Sequence, residues 1–242
     1  MLALAARRIL KRSLEYSRAM LGVEEVPARF SSADGSGEVR GVVHRPVGRP
    51  LAGLVVTHGR SNDMRNPLVK RIAQAAAESG LLALRMNFRY VEERSIASKD
   101  LSREEDDLRG AIRFLRKEVP FVPIFVVGKS MGARVCARAS SDPEIAGVIA
   151  LGYPLHPRLR PEVRNPPEWP MLGKPTLFVQ GDRDPFCDLT RMREDLSRLS
   201  APHEIVVIHD AGHSFEPRGG KRDTFPDVWE AVLAWIRGRL AG

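Results

Sequence analysis

After Gly22 the chain alternates short β-branched runs with longer stretches carrying apolar residues at helical spacing. That alternation restricts it to a mostly parallel sheet with helices packed on both faces. Seven strands are expected: Val39–His44, Leu54–Thr57, Leu81–Met86, Ile124–Val127, Gly147–Leu151, Thr176–Val179 and Glu204–Ile208. Their centres are continuous apolar runs such as IFVV and GVIAL, as strands buried on both faces require. Between them, Leu68–Glu78, Asp106–Glu118, Asp188–Leu199 and Phe225–Arg239 read as helices; Leu108, Ile112 and Leu115 supply the stripe of the second. Gly80 and Pro120 stand where a helix should stop.

Pro154, Pro157, Pro161, Pro166, Pro167 and Pro170 exclude a regular helix from Tyr153–Gly173. A loop this long between buried strands is expected to be a short cap over a site. With 242 residues the chain suffices for one sizeable domain, here 23–242, and not for two.

Residues 1–22 form a separate basic, helix-prone segment. Arg7, Arg8, Lys11, Arg12 and Arg18 face one acid, Glu15, so this segment carries half of the net charge of +8. The remaining basic residues are scattered and lack interleaved aromatics, so no nucleic-acid partner is expected. No apolar stretch approaches the roughly 20 residues of a membrane span, and a cytoplasmic protein is expected. Cys136 and Cys187, the only cysteines, are expected to be free thiols. No Cys/His cluster has zinc spacing, and neither metal nor cofactor is expected.

Gly128-Lys129-Ser130-Met131-Gly132 lies directly between a buried strand and a helix-prone segment. A serine on so sharp a turn needs a strained backbone, and side chains two positions away on either side would collide with neighbouring elements. The following helix N-terminus offers backbone N–H groups to a developing oxyanion. The spacing of a phosphate-binding P-loop is absent.

An activated serine needs a base, and the base needs an acid that fixes its tautomer. After the strand TLFV come Asp182 and Asp184, and after EIVVI come His209 and His213. Asp184, stiffened by Pro185, is preferred as the acid because the extra turn residues help it reach the histidine loop. His213, between Gly212 and Ser214, is preferred as the base; His209 merely continues its strand.

The early strand ends in Thr57-His58-Gly59-Arg60, so the backbone N–H groups of Arg60 and Met131 are the candidate oxyanion donors. The Arg60 side chain would reach the rim, where a substrate carboxylate or plain solvent could meet it. Phe88, Tyr90 and Tyr153, which follow strand ends bordering the site, and Trp169 in the proline-rich stretch are candidate substrate-pocket walls.

The ordered set THG…NDM, NFRY, GKSMGAR, YPLHP, GDRDPF and AGHSF resembles α/β hydrolases of the dienelactone-hydrolase-like group. It is most similar to the branch named for testis-expressed and histone-acetyltransferase-complex-associated hydrolase-like proteins. The resemblance runs from about Val39 to the C-terminus. It implies the α/β-hydrolase fold, with Ser130, Asp184 and His213 as a catalytic triad. Dienelactone hydrolases proper carry cysteine where this chain has Ser130. The expected activity is hydrolysis of a small ester, lactone or thioester through an acyl-enzyme; acyl transfer, or a non-catalytic interaction module on the same scaffold, are the alternatives.

Overall fold

The computed structural model describes residues 23–163, 168–215 and 222–241. The basic segment 1–22 lies outside the described residues. Within them the strands are β1 (Glu24–Ser31), β2 (Glu38–Arg45), β3 (Gly53–Thr57), β4 (Leu82–Met86), β5 (Ile124–Lys129), β6 (Ile145–Leu151), β7 (Thr176–Gly181) and β8 (His203–Ile208). They form one sheet in the order β1-β2-β4-β3-β5-β6-β7-β8. β2 runs antiparallel to both β1 and β4, and every later pairing is parallel. This is the α/β-hydrolase fold.

The helices are α1 (Pro67–Glu78), α2 (Arg89–Glu92), α3 (Ser102–Glu118), α4 (Met131–Arg138), α5 (Leu189–Leu196) and α6 (Phe225–Leu240). Side chains alternate across each strand, so adjacent residues feed opposite cores. Val55, Val126 and Val148 pack with Leu108, Ile112 and Leu115 of α3 and Val135 of α4. Leu54, Val56, Val127 and Ile149 pack on the other face with Ile72 of α1 and with Val232 and Ile236 of α6. α1 starts where Asn66 Oδ1 accepts from the Leu68 and Val69 N–H groups at 3.1 and 3.4 Å, with Pro67 at the first helical position.

β1 is a strand that the apolar pattern does not announce. It opens with two glutamates, contains Pro27 opposite Val42, and keeps only Ala28 buried. It survives because it is an edge strand, where a missing N–H costs no ladder bond. α3 begins at Ser102, earlier than its apolar stripe, because its first turn is the polar run Ser-Arg-Glu-Glu. Acids there favour the helix by opposing its dipole. Among the described residues no helix is long and apolar enough to cross a membrane.

Candidate active site

Ser130 occupies the turn between β5 and α4 with φ 55° and ψ −117°, a region side-chain-bearing residues avoid. Such strain costs about 1–3 kcal/mol and persists only where the surroundings impose it. Here they do. The Ser130 N–H donates to the Leu151 carbonyl at 2.9 Å, and the Ser130 carbonyl accepts from the Ala133 N–H at 2.9 Å. A Cβ on Gly128 would overlap the Gly132 carbonyl, and one on Gly132 would lie 2.7 Å from the His58 carbonyl oxygen. The Gly-x-Ser-x-Gly spacing is therefore a steric condition of the turn.

Loops from β5, β7 and β8 meet at this serine. His213 Nε2 lies 2.9 Å from Ser130 Oγ, and His213 Nδ1 lies 2.8 Å from Asp184 Oδ2. The Asp184 carboxylate is buried and fully engaged: Oδ2 also accepts from Gln180 Nε2 at 2.6 Å, and Oδ1 accepts from the Phe186 N–H at 2.8 Å. With the Nδ1 proton committed to that carboxylate, the Nε2 lone pair faces the hydroxyl and can take its proton. Gly152, at φ 58°, allows the close approach, since a Cβ there would stand 2.8 Å from the His213 carbonyl oxygen.

The competing residues lie elsewhere. Asp182 and His209 pair with each other at 3.3 Å, and the His209 side chain is 83% exposed. Asp210 pairs with Arg183.

A cavity of about 590 Å³ opens over Ser130 and His213. Arg60 and Met131 line it, and no hydrogen bond within the described residues uses either backbone N–H. The apolar wall comes from Pro154, Leu155 and Phe186, whose ring centroid is 4.5 Å from that of His213. Arg60, Lys129 and Arg134 bring cationic side chains to the lining, and no Asp or Glu is among the described lining residues. Arg134 is aimed by Glu168, which is wholly buried and receives its Nε and Nη2 at 2.8 and 3.1 Å.

Three expected wall residues lie away from this cavity. Tyr153 and Trp169 pack against Phe178 with centroid separations of 5.8 and 5.6 Å, and Tyr153 gives its hydroxyl to Glu168. Phe88 is buried against His58 at 4.9 Å. These large rings are spent on core packing, and Pro154 and Leu155 line the cavity instead. Tyr90 borders a neighbouring open cleft rather than the cavity over Ser130. Of the residues that sequence reasoning passed over, Phe186, Leu155 and Arg134 had only adjacency to the motifs as a signal.

A hydroxyl, an imidazole and a carboxylate gathered at the carboxyl ends of a mostly parallel sheet define a hydrolase class. The model of the alpha/beta hydrolase domain family matches residues 50–239, and the chain belongs to that family. A probable 2-oxo-3-(5-oxofuran-2-ylidene)propanoate lactonase of Bradyrhizobium sp. is 22% identical over 203 residues, 73% of this chain and 80% of that protein. The dienelactone hydrolase of Anabaena variabilis superposes with a TM-score of 0.71 at 21% identity, covering 89% of this chain and 98% of that one. A serine hydrolase without lid from Xanthomonas campestris superposes with a TM-score of 0.70 at 25% identity, covering 88% and 95%.

Proposed function

We propose that the protein hydrolyses a small carboxylic ester or lactone, with a thioester as the related substrate, through an acyl-enzyme on Ser130. The observation that carries this reading is the continuous hydrogen-bond chain from Ser130 Oγ through His213 to Asp184. His213 Nε2 takes the hydroxyl proton as Oγ attacks the acyl carbon. The tetrahedral oxyanion receives the N–H groups of Arg60 and Met131. Collapse expels the alcohol, which takes the proton back from His213. Water then repeats the sequence and releases the acid, while Asp184 holds the imidazole in one tautomer throughout.

Arg60, exposed on a lining that holds no acid among its described residues, favours an acyl compound bearing an anionic group; Arg134 beside it is already paired with Glu168. The Bradyrhizobium relative, named as a probable lactonase acting on a propanoate, agrees with that preference. In this reading residues 23–242 are one catalytic domain, and 153–173 is a short cap contributing Pro154 and Leu155 to the lining. We further propose kinship with the testis-expressed and histone-acetyltransferase-complex-associated hydrolase-like branch, on the ordered motifs from Thr57-His58-Gly59 to Gly212-His213-Ser214.

Labelling with a fluorophosphonate probe tests the reading. Wild type should label and Ser130→Ala should not. A wild type that stays unlabelled defeats it.

A further inference from the structure

Two buried side chains beneath the oxyanion loop have no task in the reading above. His58 Nδ1 lies 2.8 Å from the Gly59 carbonyl oxygen, and the Tyr90 hydroxyl donates to the Arg60 carbonyl at 2.8 Å. His58 Nε2 accepts from the Phe88 N–H at 3.2 Å, so the single proton of the ring belongs on Nδ1, where it can donate.

We propose that His58 and Tyr90 are positioning residues that aim the Arg60 N–H at the oxyanion. The inference rests on the assignment of Ser130 as nucleophile. Its basis is the planarity of the peptide unit: in a trans peptide the Gly59 C=O and the Arg60 N–H point in opposite directions. Drawing that carbonyl down onto His58 turns the Arg60 N–H up, toward the cavity that Arg60 and Ser130 both line. Tyr90 fixes the next peptide through the Arg60 carbonyl. Both peptides flanking residue 60 are thus tied, and neither can rotate without breaking one of these hydrogen bonds.

The grip itself is rigid. The Tyr90 ring stacks on Phe88 at 6.3 Å and meets His58 edge-on at 5.9 Å. Farther along the loop, the Met64 N–H donates to Asn87 Oδ1 at 2.7 Å, and the Met64 carbonyl accepts from Arg85 Nη1 at 3.2 Å. The run Arg85-Met86-Asn87-Phe88-Arg89-Tyr90 therefore holds the loop at both ends. Burial pushes the Tyr90 phenol up to about 12 and lowers His58, which keeps the one a donor and the other neutral.

Tyr90→Phe removes only the hydroxyl and keeps the stacked ring. With p-nitrophenyl acetate as the probe, kcat should fall about 10- to 50-fold while KM stays within about twofold, because an oxyanion donor acts on the transition state. Affinity for a trifluoromethyl ketone, whose serine adduct carries an oxyanion, should fall by about the same factor as kcat. A second pair of variants guards against misfolding. His58→Asn places an amide N–H near the position of Nδ1, whereas His58→Gln places it near Nε2, so the asparagine variant should lose less kcat than the glutamine variant.

Wild-type kcat and ketone affinity in folded Tyr90→Phe would overturn the inference, as would equal losses in the two His58 variants. If wild type labels at Ser130 and turns over the ester, such a result removes this inference alone. A wild type that does neither removes the proposed function and the inference together.

Discussion

Gly128 faces the carbonyl of Gly132 across the turn at Ser130, with no room for a methyl group between them. The turn is close-packed beyond Gly132 as well, where an added Cβ would lie 2.5 Å from Thr57 Oγ1 and 2.7 Å from the His58 carbonyl oxygen, so little space is left for the carbonyl to retreat. Gly128→Ala should therefore destabilise the protein by about 3 kcal/mol or more through overpacking. Thermal unfolding would register this as a drop of roughly 6–12 °C for a domain of this size. An unchanged melting temperature would mean that the turn is softer than its geometry states.

The two aspartates after β7 should separate cleanly by activity. Asp184→Asn offers Nδ1 of His213 the wrong partner and should lower kcat by about 10³- to 10⁴-fold with little change in KM. Among the described residues Asp182 pairs with the exposed His209, and Asp182→Asn should stay within about twofold of wild type, since a surface pair of this kind contributes about 0–1 kcal/mol. Steady-state kinetics on one ester decides between them.

Charge selectivity should follow Arg60. It is exposed and lines a cavity with no acid among the described lining residues, and Arg134 beside it is already paired with Glu168. Arg60→Ala should reduce the preference for a carboxylate-bearing ester over its neutral methyl ester by about 5- to 20-fold in kcat/KM, the worth of one charge-assisted contact. An unchanged ratio would move the anionic preference away from this residue.

A histidine outside the site should set part of the acid sensitivity. Burial holds His44 at about 4, below its ordinary 6.5, against the opposing pull of Glu25, and Arg85 reinforces the lowering. Its Nε2 accepts from Arg85 Nε at 2.8 Å, an arrangement that protonation would break. Above pH 6.5 the ring is neutral in both folded and unfolded chains and contributes no pH dependence. As pH falls from 6.5 toward 4 the unfolded chain binds a proton that the folded chain refuses, so stability is lost across that window. Between about pH 7 and about pH 4.5 the loss should be roughly 2–3 kcal/mol more in wild type than in His44→Gln. Urea unfolding of both proteins at the two pH values measures it.

Much of this molecule is legible in its sequence for identifiable reasons. The parallel strands are continuous apolar runs because both of their faces are covered, and the turn at Ser130 shows because sterics admit only glycine on either side of it. Turn length already favours Asp184 over Asp182 in the sequence, but not the three hydrogen-bond donors that converge on its carboxylate. β1 stayed hidden because an edge strand has no need of an apolar alternation. The aromatic residues misled for a related reason. Proximity to a strand end does not say which way a ring points, and Tyr153 and Phe88 spend their area on the core. Tyr90 presents its hydroxyl to a backbone carbonyl, a contact without any sequence signature.

The imidazole that meets Ser130 comes from the segment following β8, the final strand of the sheet. A chain regaining its shape after dilution from denaturant can collapse, form β3 to β6 and bury most of its hydrocarbon while its serine remains an ordinary alcohol. Recovery of reactivity toward a fluorophosphonate would then time the docking of the C-terminal edge rather than compaction, and it should lag behind the return of the bulk helical signal.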